Sequence, residues 1–249
     1  MDVAELTKNL SQYSPILNDT VNQVDKGVKP VAVVIIAIFF LIEMDSWYKY
    51  MKQEGGGITR ELWMDVAFKY ILAYLLVMLS GSIFDMILEI VNMVIRTIDG
   101  VIPAEKVSWQ GQYDQTEGWF FKNIFWLVGG ATEGIAKLST KLIVYMRALE
   151  MYLLKAVGSL LIAFFMSDAT RSIAINILKY FGAAAFQGLL LLLIVRFYPV
   201  LVTEDLMKVN MQGDFETWGT AISSIGKGII FIVLLWGSQR KAKQLLSAM

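Results

Sequence analysis

Apolar residues are grouped along the chain into five long runs separated by polar stretches. The runs cover residues 28–44, 66–84, 142–166, 173–198 and 222–237. A helix of about 20 apolar residues crosses the hydrocarbon of a bilayer, so each run is a candidate span, although the first is short. The pattern predicts an all-α integral membrane protein with about five transmembrane helices.

The segment ahead of the first run has a different pattern. Its apolar residues recur at steps of three and four, which places them on one helical face. They are Val3, Leu6, Leu10, Tyr13, Leu17, Val21, Val24 and Val28. Residues 1–28 are therefore predicted to form an amphipathic helix, kinked or interrupted at Pro15. Such a helix lies on a membrane or packs on a neighbour, and the same stripe also suits contact with a partner subunit. Acids and amides throughout this segment argue against a signal peptide.

A further segment, residues 119–134, is rich in aromatic residues and glycine. Trp119, Phe121 and Trp126 are typical of the aromatic belt at lipid headgroups. Gly130 and Gly134 then loosen the backbone. We favour an interfacial or re-entrant element here over a sixth span.

Basic residues predict the topology. The tail, residues 239–249, carries Arg240, Lys241 and Lys243 without an acid, so the positive-inside rule makes it cytoplasmic. Residues 29–238 then form a polytopic domain in the cytoplasmic membrane, with residues 1–28 and a central segment, 99–136, on the outer side. The competing layout has six spans and an inner N-terminus.

Composition narrows the classes of function. Hydrophobic residues make up 56% of the chain and charged residues 18%, while 22 basic and 22 acidic residues cancel. Cysteine and histidine are absent, which removes thiol nucleophiles, most transition-metal sites and the usual general base near neutral pH. We therefore expect no enzyme activity, no metal and no cofactor.

Polar residues occur within the apolar helices at two places. Asp85, Glu89, Asn92 and Arg96 are spaced four, three and four apart and form one polar stripe. It is either the wet face of an interfacial helix or a face toward a water-filled passage between subunits. Asp85 and Glu89 are candidate pore-lining residues.

The third run contains the second group of charges, Arg147, Glu150 and Lys155. An ionised group at the bilayer centre costs roughly 3 kcal/mol or more, so such groups face protein or water. Arg147 and Glu150, at i and i+3, are placed to neutralise each other. These residues either pair locally or line a basic lumen.

Small residues provide sites of close helix packing. Gly130 and Gly134, and likewise Ala184 and Gly188, have the small-xxx-small spacing that allows helices to approach in membranes. The spacing supports assembly into a homo-oligomer.

Taken in order, the features resemble one family. The stripe from Val3 to Val28, the segment 119–134, the charged span around Arg147 and Glu150, and the basic tail resemble the TrbL-type polytopic inner-membrane component of type IV secretion and conjugation systems. The compact length is similar to a Gram-positive version. The resemblance rests on layout across the chain, and no functional residue carries over by motif.

The resemblance implies a multi-copy channel or scaffold subunit in the cytoplasmic membrane. It would pass single-stranded DNA with its attached protein, or protein effectors, and its partners would be lipid, other secretion subunits and cytoplasmic ATPases. The alternatives are a small-solute transporter or a purely structural membrane scaffold. Secondary transporters usually show internal repeats, and the sequence shows no convincing one.

Overall fold

The computed structural model of the chain describes residues 3–54, 60–102, 119–203 and 216–246. Every regular element in these ranges is helical, so the predicted all-α class is confirmed there. The α-helices are α1 Val3–Leu6, α2 Leu10–Tyr13, α3 Pro15–Glu54, α4 Arg60–Met78, α5 Ser80–Val101, α6 Trp119–Ile162, α7 Arg171–Thr203 and α8 Glu216–Leu245. A short 3-10 helix, Ala163–Met166, follows α6.

Several helices are long and apolar enough to cross a membrane. Three stretches qualify singly, Pro15–Gln53, Trp126–Met166 and Arg171–Tyr198, and the bent pair α4 and α5 raises the number to four if it forms one span. These helices indicate a membrane-spanning protein. The predicted fifth span, residues 222–237, lies within α8, which is not among the described stretches that qualify. The count of five stays a prediction.

The amino-terminal segment is helical but not one helix. Asn9 starts a new turn as a capping box: its side chain accepts a hydrogen bond from the Gln12 amide, and the Gln12 side chain accepts one from the Asn9 amide. Ser14 is extended, and Pro15 then begins α3, a position where its missing N–H costs nothing. The interruption predicted at Pro15 is confirmed.

The predicted boundary at residue 28 does not appear as a helix end. Helix α3 runs without interruption through Pro30 to Glu54, so the second half of the amphipathic segment and the first span are one helix. The stripe is only partly buried, since Leu6, Leu10 and Val21 lie in the interior whereas Val24 is exposed. Only 11% of the apolar window of α3 is buried by the rest of the chain, which leaves that surface for lipid or a partner.

The second predicted span, residues 66–84, is broken. Helix α4 ends at Met78, α5 begins at Ser80, and the two axes differ by 67°. A break frees backbone carbonyls that need donors. The Lys29 ammonium donates to the Met78 carbonyl at 3.1 Å, and the buried Ser80 hydroxyl donates to the Val77 carbonyl at 2.9 Å.

Helix α6 is longer than predicted. It continues unbroken from Trp119 to Ile162, so residues 119–134 form its first turns and not a re-entrant element. The helix continues across its glycines, although each glycine lowers helix stability by roughly 1 kcal/mol relative to alanine. Residues 167–170 connect the 3-10 helix to α7, which agrees with the short connection predicted between the third and fourth spans. Of the predicted central segment 99–136, residues 103–118 lie outside the described residues.

The chain divides into two compact units, which we call the first and the second unit. The second unit contains Lys8–Ile90, Ala148–Ala185 and Lys243–Met249. Its core includes the fully buried ring of Phe84, whose centroid lies 4.7 Å from that of Phe181. A Cβ on Gly158 would lie 2.1 Å from the Phe84 ring, so glycine is what allows α6 to lie against that ring.

The first unit contains Met1–Thr7, Val91–Arg147 and Phe186–Ala242. Its buried side chains include Leu6, Ile95, Leu191 and Leu235. The rings of Tyr198 and Phe231 lie 4.9 Å apart, and the Tyr198 hydroxyl donates to the Lys227 carbonyl. Helix α8 continues through Arg240 and Lys243 to Leu245, so the predicted tail at 239–249 begins as helix.

Candidate functional site: a polar cavity and its surroundings

A polar cavity of about 320 Å³ lies within the second unit. One wall comes from α2 and the start of α3, and the other comes from α5 and α6. The lining residues are Asn9, Leu10, Ser11, Asn18, Asn22, Asp85, Leu88, Glu89 and Lys155. Three of the five predicted pore-lining residues, Asp85, Glu89 and Lys155, are therefore brought together.

Lys155 and Asp85 line the polar cavity and form an ion pair. The ammonium lies 2.7 and 2.9 Å from the two carboxylate oxygens. The Lys155 side chain is 5% exposed and the Asp85 side chain 55%, so the pair joins a buried cation to a wet anion. A buried ammonium has lost the water molecules that solvate its charge. The two contacts to one carboxylate compensate for much of that loss.

The opposite wall carries carboxamides. Asn9 and Ser11 are engaged in the cap of α2, since the Asn9 side chain accepts hydrogen bonds from the Gln12 amide and the Ser11 hydroxyl. Asn18 and Asn22, one helical turn apart on α3, line the cavity with side chains that make no hydrogen bond within the described residues. They are half-buried and offer both donors and acceptors to the cavity.

The predicted polar stripe of α5 does not have one environment. Asp85 and Glu89 are exposed at the cavity, and Arg96 is also exposed. Asn92 is fully buried in the first unit, where its amide nitrogen donates to the Thr7 carbonyl at 3.1 Å. Residues of one stripe on one helix therefore have different roles: Asp85 and Glu89 line the cavity, whereas Asn92 is buried and hydrogen-bonded.

Arg147 is an anchor within the first unit. It is 1% exposed, and its guanidinium donates to the Leu6 carbonyl at 3.1 Å. Leu6 ends α1, so this carbonyl lacks a helical partner. Gly188 makes room for the group, because a Cβ there would lie 2.3–2.7 Å from the guanidinium atoms. The geometry favours a structural role for Arg147 over the predicted lumen.

Glu150 lies in the second unit and has a distant partner. Its carboxylate lies 2.7 Å from the Lys243 ammonium, which is also 5.8 Å from the centroid of the Tyr180 ring. The sequence suggested Arg147 as the partner of Glu150, and it gave no indication of the ion pair between Glu150 and Lys243. A basic residue counted in the tail is part of a folded unit.

The other predicted site residues have mixed placements. The side chains of Trp119 and Phe121 lie outside what the structure describes, and Trp126 is 68% exposed. The interfacial position of these aromatic residues stays a prediction. Gly130 and Gly134 have open space where a Cβ would stand, whereas Ala184 and Gly188 are buried. Close packing is thus seen at Gly188 and not at the Gly130–Gly134 pair.

Two features were missed by sequence reasoning. Tyr152 accepts a hydrogen bond from the Ser14 amide at 3.1 Å and donates to the Leu10 carbonyl, and so satisfies the break between α2 and α3. Asp25 is 6% exposed and pairs with Lys29 at 3.0 Å. A signal existed for Asp25 and Lys29, since both are ionisable residues near the first span at i, i+4 spacing.

The polar cavity offers two carboxylates, one ammonium, carboxamides and a hydroxyl. Within the part of the chain that the structure describes, no group of three or more acidic residues is placed to hold a metal ion. Comparison with protein-family models, with curated proteins and with solved structures gives no match for this chain. The residues themselves therefore carry the functional argument.

Proposed function

We propose that this chain is a polytopic cytoplasmic-membrane subunit of a conjugative type IV secretion machine, assembling in several copies with other subunits. The layout of the sequence supports the family. One structural observation supports the role of a subunit: two charged side chains of α6 are buried with partners inside the chain, while apolar side chains of the same helix face outward. Arg147 and Lys155 are almost fully buried and are bonded to Leu6 and Asp85, whereas Tyr145, Met146 and Leu153 are more than half exposed.

Such a surface suits lipid and neighbouring subunits. A chain with inward charges and outward apolar groups does not enclose a lumen with those charges by itself. In the proposed machine it acts mainly as a membrane scaffold, and any passage is built between copies. The exposed Asp85 and Glu89 stay the candidates for a wet passage, while Arg147 holds the fold together.

Deletion of the gene in its native host tests the proposal. We expect transfer of the conjugative element to fall to background and to be restored by the wild-type gene supplied in trans. Glu133→Gln, which removes a partly exposed carboxylate that pairs with the neighbouring Lys137 on α6, is the matched control and should restore transfer equally. Undiminished transfer after deletion would exclude the secretion role.

A second measurement tests assembly. The complex extracted in mild detergent should contain several copies of the chain when its mass is measured by native mass spectrometry. A monomer carrying a bound solute would instead favour the small-solute transporter.

A further inference from the structure

We propose that helix α3 packs against α3 of a second copy of this chain through one exposed face, which we call the α3 seam. The seam lies within the second unit. The proposal names the contact surface for the assembly in several copies and rests on that part of the proposed function. The seam residues, all of them exposed, are Val24, Gly27, Val31, Val34, Ile38 and Leu41.

The α3 seam lies on the side of the helix that the chain itself leaves uncovered. The opposite side packs inside the second unit, where Ala32 and Ile36 are fully buried and the ring of Phe39 lies 5.7 Å from that of Phe164. Successive seam residues are three and four positions apart, and α3 is continuous through Pro30. Alternating steps of three and four are those of the a and d positions that meet a second helix in a coiled coil.

The length of the α3 seam matches the thickness of a bilayer. The position one step before Val24 is Thr20, and the position one step after Leu41 is Asp45, which pairs with Lys49 at 2.6 Å. From the first seam residue to the last the helix rises about 26 Å, close to the roughly 30 Å of bilayer hydrocarbon. Two such helices therefore meet along apolar residues over the depth of the membrane.

The residue types of the α3 seam favour a helix over lipid as its cover. All three a positions, Val24, Val31 and Ile38, are β-branched, as in two-stranded parallel coiled coils. Such side chains have one dominant rotamer in a helix, so they lose little freedom when they pack. Lipid makes no such demand, and the exposed residues of α4 include large ones such as Met64 and Phe68.

Gly27 gives the α3 seam a point of close approach. A Cβ on Gly27 would meet no other atom within 4 Å among the described residues. Gly158 differs, because the space beside it is filled by the ring of Phe84 from the same unit. Glycine at the contact of two membrane helices allows their backbones to come close, so the space beside Gly27 is open to a second helix.

The second helix that fits is another α3. The seam carries no charge, so it can face its own copy without placing like charges opposite each other. Copies of one chain enter the membrane in the same orientation, so their α3 helices run parallel about a two-fold axis. In a parallel pair like positions face each other, which places Ile38 opposite the Ile38 of the second copy.

Disulfide formation in isolated membranes tests the contact. The chain has no native cysteine, so Val31→Cys and Ile38→Cys each give one thiol per copy. Both should form disulfide-linked dimers on mild oxidation with copper phenanthroline, since like positions of the pair lie within the roughly 7 Å between Cα atoms that a disulfide needs. Phe68→Cys, at an exposed position of α4, is the matched control and should stay monomeric. Absence of dimers from both seam positions, or equal dimer from Phe68→Cys, would overturn the proposal.

A glycine pair gives a second measurement that does not depend on oxidation. Gly27→Leu meets no atom of its own chain among the described residues and should weaken self-association in detergent roughly tenfold, because it overpacks the point of close approach. Gly100→Leu, at an exposed glycine of α5 with equally open space, should associate as the wild type does. Sedimentation equilibrium measures both variants. Undiminished association of Gly27→Leu would contradict the seam.

The cross-links and the transfer experiment can fail separately. Loss of transfer on deletion, without cross-links at Val31→Cys and Ile38→Cys, would keep the secretion role and exclude the α3 seam as a contact. Cross-links at the seam in a chain whose deletion leaves transfer undiminished would keep the contact and exclude the secretion role.

Discussion

Lys155 and Asp85 differ in what they lose when their ion pair is broken. Lys155 has little access to solvent, so its ammonium depends on the carboxylate for stabilisation. Asp85 is 55% exposed, so water can replace the ammonium as its partner. Removal of one partner of a buried pair is costly because it leaves an uncompensated charge, and here only one side of the pair has that problem.

The first prediction follows from this asymmetry. Asp85→Asn should lower the free energy of unfolding by about 2–4 kcal/mol, because the buried ammonium loses its counter-charge. Lys155→Met should cost less than about 1 kcal/mol, because the remaining carboxylate is hydrated. Unfolding by titration with a denaturing detergent measures both. The reverse order of the two losses would show that Lys155 is hydrated in the protein.

The second prediction concerns Gly188. A methyl group there would overlap the Arg147 guanidinium, which is buried and held by its hydrogen bond to the Leu6 carbonyl. Gly188→Ala should destabilise the protein by about 1–3 kcal/mol, as overpacking does. Gly134→Ala, in a helix with nothing near the new methyl group, should be neutral or stabilising by up to about 1 kcal/mol. Equal effects on the melting temperature of the two variants would contradict the contact.

The sequence identifies the charged residues but not their partners. Asp85 and Lys155 are 70 positions apart, and Arg147 and the Leu6 carbonyl are 141 positions apart. Helical periodicity relates residues three or four apart, so it could suggest only the pairing of Arg147 with Glu150. Backbone carbonyls at helix ends give no signal in a residue pattern. The sequence therefore indicated Asp85, Glu89 and Lys155 as notable polar positions, but it did not bring them together in one cavity.

At the scale of elements, the break between α4 and α5 depends on a third helix. Lys29 of α3 donates to the Met78 carbonyl and pairs with Asp25, whose side chain is 8% exposed. One ammonium thus stabilises both the end of α4 and a buried carboxylate. A bent span of this kind is stable only where another element satisfies its backbone.

The third prediction tests this dependence. Lys29→Met should lower the free energy of unfolding by about 3 kcal/mol, because it leaves a buried carboxylate without a cation. Lys26→Met, at an exposed position one turn earlier on α3, should change it by less than about 0.5 kcal/mol. Adding Asp25→Asn to Lys29→Met should recover part of the loss, and a double-mutant cycle that shows no coupling would contradict the pair.

Apolar periodicity predicts the helices better than their ends. The run at 173–198 lies inside α7, and the run at 142–166 covers the end of α6 and the 3-10 helix that follows it. Helix α6 nevertheless begins at Trp119, well before its apolar run. Polar residues such as Thr132 and Lys137 continue a helix as readily as apolar ones when they form local contacts, as the Lys137 pair with Glu133 does. The run at 66–84 reads as continuous because Leu79, at the bend, is itself apolar.

At the scale of the whole molecule, orientation in the membrane stays a prediction from the charges. Five spans with a cytoplasmic tail place Lys49 and the tail inside and Gln112 and Lys208 outside. Six spans with an inner N-terminus exchange the sides of Lys49 and Gln112. Lys243 is a poor reporter of the tail, because Glu150 and Tyr180 hold it, whereas Lys241 is exposed.

The fourth prediction uses the absence of native cysteine. Single cysteines at Gln112 and Lys208 should react with an impermeant maleimide added to intact cells, and those at Lys49 and Lys241 should react only after the cells are opened. Labelling of Lys49 without Gln112 would indicate the six-span layout. Labelling of Lys241 in intact cells would overturn the assignment of the tail to the cytoplasm.

The hydrogen bond from Arg147 to Leu6 also sets an order of events during synthesis. The turn that ends at Leu6 leaves the ribosome long before the guanidinium 141 positions later exists. Until α6 has entered the bilayer, the carbonyl of Leu6 lacks the Arg147 donor, and the turn is not held in its final position. A nascent chain halted before residue 147 should therefore leave its first residues open to protease, and chains halted beyond α7, which contains Gly188, should protect them.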